Sequence, residues 1–309
     1  MARKVILDID PGIDDAVALC LALAAPELEV VAVTATGGAV LPDQATHNVQ
    51  AIVEQLDPPR WPRIGAASSD QILRTDGPHI FGTGGLCGAH FEIAKRHHQH
   101  SSVKVICDEV HSAPGEITIV AAGPLTNIAA ALAQQPDLAP LIGHLIILGG
   151  TLGGPGNVTA AAEFNIYCDA DSARTVFRSP VTKTLIPLDV TSRNLFGYEL
   201  LDRIPMGGLP TGELLHQILP GAFRAYHQHL GIEGIHLHDM AAVVAAMCPD
   251  LFSTERLYGD IETEGTLTYG ATIFDRRHRP DVRPNMDVVV DMDAEAVVDC
   301  LFRGLTRAA

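Results

Sequence analysis

Basic side chains are scarce in this chain: 21 lysines and arginines stand against 37 aspartates and glutamates, a formal net charge of −16. A surface of that sign repels a phosphate backbone and an anionic membrane alike, which argues against nucleic-acid and membrane partners. Long apolar runs are missing too. None reaches the ~20 residues that a bilayer-spanning helix requires, and the run that starts at Val5 meets Asp8 far short of the core of a secretory signal. The six cysteines (Cys20, Cys87, Cys107, Cys168, Cys248 and Cys300) never fall in a CxxC spacing, so neither a zinc ribbon nor a dithiol redox motif is indicated. They read as small core residues of a reducing compartment, and a cytoplasmic location is expected. A dinucleotide fingerprint is absent as well, because Gly82, Gly84 and Cys87 fail at the third glycine.

What remains is a globular composition, 47% apolar and 19% charged over 309 residues, enough for a large core. The length would allow two domains, but a single domain over residues 1–309 is the expectation. Apolar runs at 5–9, 30–34, 117–122, 145–148 and 184–187 lack strict alternation, the mark of strands covered on both faces. Helix-like stretches at 15–25, 45–56, 127–135 and 239–247 complete a strand–helix–strand rhythm. The expected fold is α/β, an open, mostly parallel sheet flanked by helices. Further strands at 257–263, 267–273 and 288–291 would add a small antiparallel patch. The His-rich stretch at 95–100 reads as a solvated helix end rather than a metal tract.

The strongest chemical signal is Asp8-Ile-Asp10-Pro11-Gly12-Ile-Asp14-Asp15, four carboxylates within eight residues at the carboxyl end of the first strand. In open α/β sheets, ligands bind at that end. Asp8 and Asp10 share a strand face, Pro11 and Gly12 turn the chain, and Asp14 can cap the next helix, with Asp15 in its first turn. Ordinary turn and capping duty accounts for Asp14 but struggles with four acids together. Like charges so close demand a cation or protonation, and a hard divalent ion resolves the conflict. A phosphotransferase of the haloacid-dehalogenase type also places DxD after its first strand, but it wants Thr or Val where Gly12 stands.

Further along come Ala122-Gly123-Pro124-Leu125-Thr126-Asn127, Gly156-Asn157, Ala162-Glu163-Phe164-Asn165 and His236-Leu237-His238-Asp239. Taken in order with the Asp motif, these resemble the inosine-uridine nucleoside hydrolase family from residue 5 to about residue 290. The resemblance implies cleavage of the N-glycosidic bond of ribonucleosides in base salvage. It implies Ca2+ held by Asp10, Asp15, the Thr126 carbonyl and Asp239, a set of oxygen ligands that suits calcium rather than zinc. Asp10 would be the general base, and Asp14, Asn157, Glu163 and Asn165 would grip the ribose. His238 would serve the leaving base, its ordinary pKa suiting proton donation near neutrality, with Tyr226 and His227 folding over the base. A homodimer or homotetramer is implied.

The pattern is departed from at three places. Ala39 follows Gly37-Gly38 where relatives carry Asn, so an orienting bond to the water or to Asp10 is expected to be missing. Phe81 stands for a base-proximal His and would stack on a base or pack in the core; Cys87 stands for an Asp. With Trp61 the only tryptophan, a purine sandwiched between tryptophans is not expected. The departures keep two alternatives open: an N-ribohydrolase for a modified nucleoside, and a calcium-dependent nucleoside-binding protein impaired in catalysis.

Overall fold

The computed structural model describes residues 2–71, 74, 80–94, 99–206, 208–279 and 281–307. Its strands are β1 (Arg3–Ile9), β2 (Leu28–Ala35), β3 (Arg63–Ala66), β4 (His100–Ser101), β5 (Thr118–Ala121), β6 (His144–Leu148), β7 (Lys183–Ile186), β8 (Phe252–Ile261), β9 (Thr272–Asp275) and β10 (Met286–Met292). The helices are α1 (Ile13–Ala24), α2 (Pro42–Leu56), α3 (Ser102–Ser112), α4 (Thr126–Gln134), α5 (Phe164–Cys168), α6 (Ala170–Arg178), α7 (Leu188–Thr191), α8 (Glu199–Arg203), α9 (Pro210–Ala225), α10 (Asp239–Met247) and α11 (Ala294–Arg307). All ten strands belong to one sheet, ordered β4-β3-β2-β1-β5-β6-β7-β10-β8-β9. Neighbours from β4 through β10 run parallel, whereas β8 pairs antiparallel with both β10 and β9.

Side chains of β1 alternate between two cores, as the two-residue period of a strand requires. Val5, Leu7 and Ile9 enter the core shared with α1, α2, α9, α10 and α11, while Ile6 enters the one shared with α3, α4 and α6. Both sheet faces are therefore dry, which explains the unbroken apolar runs in the sequence. Chain order reverses at β1, with β2 on one side and β5 on the other. The carboxyl ends of β1 and β5 consequently border the crevice at which such sheets hold ligands.

Two local expectations are corrected. The strand expected at 267–273 is mostly turn: Leu267 is 86% exposed, and pairing with β8 starts only at Thr272. Gly270, at φ +78°, reverses the chain there, and the Glu262 carboxylate accepts the Glu264 and Gly265 N–H groups to hold the bend. Helix α1 begins at Ile13 with Gly12 at its cap, so Asp14 lies inside the first turn and does no capping. Asp15 takes that duty, its carboxylate accepting the Gly12 N–H at 2.9 Å. Residues 95–98 of the His-rich stretch lie outside the described residues, and His100 is exposed in β4. Among the described residues, no helix is long and apolar enough to cross a membrane.

At the amino end of β7, Lys183 is 2% exposed and donates to the carbonyls of Ser179, Val181 and Asn285 at 2.9, 3.0 and 3.2 Å. Asn285 in turn bonds Gly259 of β8 and the Phe177 carbonyl. One ammonium thus ties the parallel sheet to its antiparallel extension. Burial pushes its pKa down to about 8, but all three donors are satisfied. Removing it strands three carbonyls, a loss only partly offset by sparing the ammonium its desolvation. Lys183→Met is expected to destabilise the protein by about 2 kcal/mol, read from the midpoint of urea unfolding.

Candidate active site

Asp8 ends β1 fully buried, with its Oδ1 accepting from the Thr34 hydroxyl at 2.6 Å and from Asn127 Nδ2 at 2.8 Å. Burial pushes its pKa up to about 7. Held on two sides and shut from solvent, it cannot meet a phosphoryl group, which removes the phosphotransferase alternative. Its place is under the site, where it locks the start of α4 to β1 and β2.

Two residues on, Asp10 has left the sheet and stands between two glycines. A Cβ on Gly38 would sit 2.0 Å from Asp10 Oδ2, and one on Gly123 would sit 2.7 Å from Oδ1. Any side chain at either position would displace the carboxylate, so both loops must pass with bare backbone. The Ala39 N–H donates to Asp10 Oδ2 at 2.5 Å. Asp10 is thus oriented from this loop by main chain, a bond that does not depend on the side chain at 39.

Asp10, Asp14, Asp15 and Asp239 converge electrostatically. Asp10 and Asp14 are each held well above the ordinary carboxylate range, first by burial and then by the charge of Asp15. Asp15 itself is pushed up to about 6 by burial. Asp239, the first residue of α10, is also raised, by burial and then by Asp14, Asp15 and Asp10, and it is hydrogen-bonded to Asp15. Asp14 Oδ2 accepts the His238 N–H at 2.7 Å, pinning α1 to the residue before α10. The Oδ1 atoms of Asp14 and Asp15 are buried without any hydrogen-bond partner. Orphaned carboxylate oxygens in dry surroundings are costly unless something positive meets them. Among the described residues, no three His, Cys, Asp or Glu side chains form a metal site by themselves. Further oxygens must come from main chain or ligand.

Around the acids, Thr126 opens α4, its hydroxyl donating to Asp169 Oδ2 at 2.5 Å. Glu163 caps α5, accepting from the N–H groups of Asn165, Ile166 and Gly150; burial raises its pKa against those bonds. Asn165 Nδ2 donates to the carbonyls of Ala122, at 2.6 Å, and Leu148, joining the ends of β5 and β6. Asn157 is exposed and accepts the Phe164 N–H. Asp189 of α7 accepts the N–H groups of Leu152, Gly153 and Gly154, fixing the start of that loop.

An aromatic string lines the other side. Phe81 and Tyr226 have ring centroids 6.1 Å apart, Tyr226 and His236 lie at 6.4 Å, and His236 stacks on His238 at 5.2 Å with 19° between planes. Burial, and then the charges of Asp14 and Asp239, push the Tyr226 phenol up, so this ring belongs to the acid cluster. His238 Nδ1 lies 2.8 Å from the Thr191 hydroxyl. Burial lowers its pKa to about 3, correcting the expectation of an ordinary value: the ring is neutral at pH 7. His227 is exposed and pairs with Glu233, apart from this string. Trp61 bonds Asp57 at the opposite, amino end of the sheet, away from the acids.

Sequence reading overlooked several contributors. His236 was visible as the i−2 partner of His238 in an extended segment, and Asn127 as a polar residue opening a helix after a buried strand. Gln71 carried no signal, since its partners are distant in sequence, and Asp169 showed only as an N-cap three residues before Ser172, its bond to Thr126 being distant.

Comparison with known proteins agrees with this geometry. The family described as inosine-uridine preferring nucleoside hydrolase matches residues 5–299. A pyrimidine-specific ribonucleoside hydrolase, RihA, of Klebsiella pneumoniae subsp. pneumoniae is 37% identical, with 99% of each chain covered. Among solved structures, a purine-preferring ribonucleoside hydrolase from Gardnerella vaginalis superposes with a TM-score of 0.90 at 32% identity, and a plant nucleoside hydrolase, PpNRh1, with 0.92 at 30%. Both alignments cover 99% of each chain.

The raised acids carry a pH signature. Asp8 and Asp15 titrate near 7 and 6 in the fold but near 3.8 when unfolded. Their contribution to stability is therefore full below about pH 4 and lost as pH rises through about 6 to 7. The melting temperature of chelator-treated protein is expected to be lower at about pH 7.5 than at about pH 5. Added calcium should raise it more at the higher pH. A calcium effect equal at both values would contradict this account of the cluster.

Proposed function

The chain belongs to the inosine-uridine preferring nucleoside hydrolase family, and on that premise we propose that it cleaves ribonucleosides with Asp10 as general base and a calcium ion among Asp10, Asp15 and Asp239. The observation that carries the metal reading is the pair of orphaned, buried oxygens on Asp14 and Asp15, set among carboxyls whose pKa burial raises and, for Asp10, Asp14 and Asp239, the charge of Asp15 raises further. An all-oxygen donor set, completed by the Thr126 carbonyl, fits a hard cation with flexible coordination. When bound, the ion would lower the pKa of a water and neutralise the acids.

The rest falls to side chains. Asp10, oriented by the Ala39 N–H, takes the proton from the water that attacks the anomeric carbon. Asp14, Asn157, Glu163 and Asn165 hold the ribose hydroxyls, and the two carboxylates among them favour the oxocarbenium-like sugar of the transition state. His238, neutral and anchored through Nδ1 to Thr191, offers its other ring nitrogen as a hydrogen-bond donor to the departing base. Phe81 and Tyr226 wall the base side, while His227 reaches it only by leaving Glu233. The 37% identity to hydrolases named for pyrimidine specificity supports placing pyrimidine ribonucleosides first.

A reducing-sugar assay on uridine, cytidine, inosine and adenosine tests this reading. Turnover is expected on the first two above the others, with chelation and Asp10→Asn each lowering kcat by about 100-fold or more. His238→Ala is expected to lower kcat by about 10- to 100-fold with little change in KM. Full turnover in excess chelator would exclude the metal role; no turnover on any of the four would redirect the search to modified nucleosides.

A further inference from the structure

The carboxylate of Asp10 is aimed by a loop, residues 36–39, whose bond to it is main chain and whose one buried polar side chain, Thr36, packs beside Gly123. Gly38 must stay bare to clear Asp10, and the Ala39 N–H that bonds it is main chain. Something outside the loop has to hold it. Within it, the Thr36 N–H reaches the Ile9 carbonyl and the Gly38 N–H reaches the Val40 carbonyl. Among the described residues, one side chain from beyond β3 also bonds the loop. Gln71 Oε1 accepts the Gly37 N–H at 2.7 Å, and its Nε2 lies within bonding distance of Thr36 Oγ1 at 3.0 Å, the Gly37 carbonyl at 3.3 Å and Thr126 Oγ1 at 2.9 Å.

The last of these contacts crosses the crevice. Thr126 accepts from Gln71 and donates onward to Asp169, which itself caps α6 through the Ser172 N–H. The polarity is consistent along the whole path: amide donor, hydroxyl relay, carboxylate acceptor. The loop that aims Asp10 and the loop that opens α4 are thereby braced against each other and against α6. A primary amide carries its acceptor and its donors on separate atoms, so one side chain accepts from Gly37 while donating to Thr126.

We infer that Gln71 is a positioning residue for hydrolysis, acting through the 36–39 loop to hold Asp10 in line with the attacking water. It touches neither sugar nor base. The inference rests on the proposed role of Asp10, and a displacement of the order of 1 Å at a reacting group costs about 100-fold in rate.

The test is a double-mutant cycle on the calcium-loaded enzyme. Gln71→Met keeps the length and loses every hydrogen bond; Thr126→Val severs the brace from the far side while keeping the backbone carbonyl; Gln71→Glu keeps the acceptor for Gly37 but not the donor to Thr126. Gln71→Met is expected to lower kcat by about 10- to 100-fold, with KM and the urea-unfolding midpoint close to those of wild type. The other two variants should fall between. In an Asp10→Asn background, measured by single turnover, Gln71→Met should cost less than about 2-fold, because there is no base left to aim. If Gln71→Met keeps wild-type kcat while Asp10→Asn does not, the inference is overturned and the role of Asp10 stands. If Asp10→Asn keeps wild-type kcat, the role of Asp10 fails, and the inference with it. A rate loss from Gln71→Met that persists undiminished in the Asp10→Asn background, or a matching fall in the urea-unfolding midpoint, makes Gln71 a general support of the fold. Should Gln71→Met not fold, Thr126→Val and Gln71→Glu carry the same cycle.

Discussion

Repulsion among Asp10, Asp14, Asp15 and Asp239 governs this molecule. Burial raises the pKa of all four carboxyls, and the charge of Asp15 raises the other three further, a local instability that the remainder of the sheet must absorb. The surroundings are built to bear it. Two buried cores clamp β1 from both faces, Gly12 and Ala39 offer N–H groups to the acids, and the His238 N–H holds Asp14. Such crowding is stable only as part of a complex with a positive charge or a bound proton. The cluster is thus under tension until a ligand arrives.

The architecture explains why the crowding occurs where it does. Reversal of strand order at β1 leaves a crevice between its carboxyl end and that of β5, and the loops leaving β1, β2 and β5 all emerge there. Asp239 arrives from a distant part of the chain because α10 packs on α1, with the Asp14 carboxylate and the His238 N–H joining the two helices. Four acids from two segments reach one place without any strand bending toward them.

Much of this was legible from the amino-acid order alone. The buried runs of β1, β2, β5, β6 and β7 were plain because strands covered on both faces leave no polar alternation. The helix at 239–247 was bounded correctly, since its apolar content ends sharply at Asp239 and Cys248. The turn at 265–270 was misread because its Leu267, Tyr269 and flanking threonines carry strand-like propensity, while Gly265 and Gly270 decide the backbone. In the site, the acids were evident from spacing. Gln71, Asp169 and the amide of Ala39 were not, because main-chain donors and contacts across tens of residues leave no periodic trace. The pKa of His238 was unreadable for a related reason: a lone histidine does not announce how deeply its ring will be covered.

The two glycines beside Asp10 have a consequence for how such proteins diversify. Gly38 and Gly123 leave no room for a methyl group, so the cleaving end of the crevice has almost no freedom to drift. Phe81 and Tyr226 come from segments outside the sheet and pack on each other over the edge of the core. Under the reading advanced above, taste for one base or another is written on that outer wall. It can be rewritten there many times over while the scissors underneath stay the same.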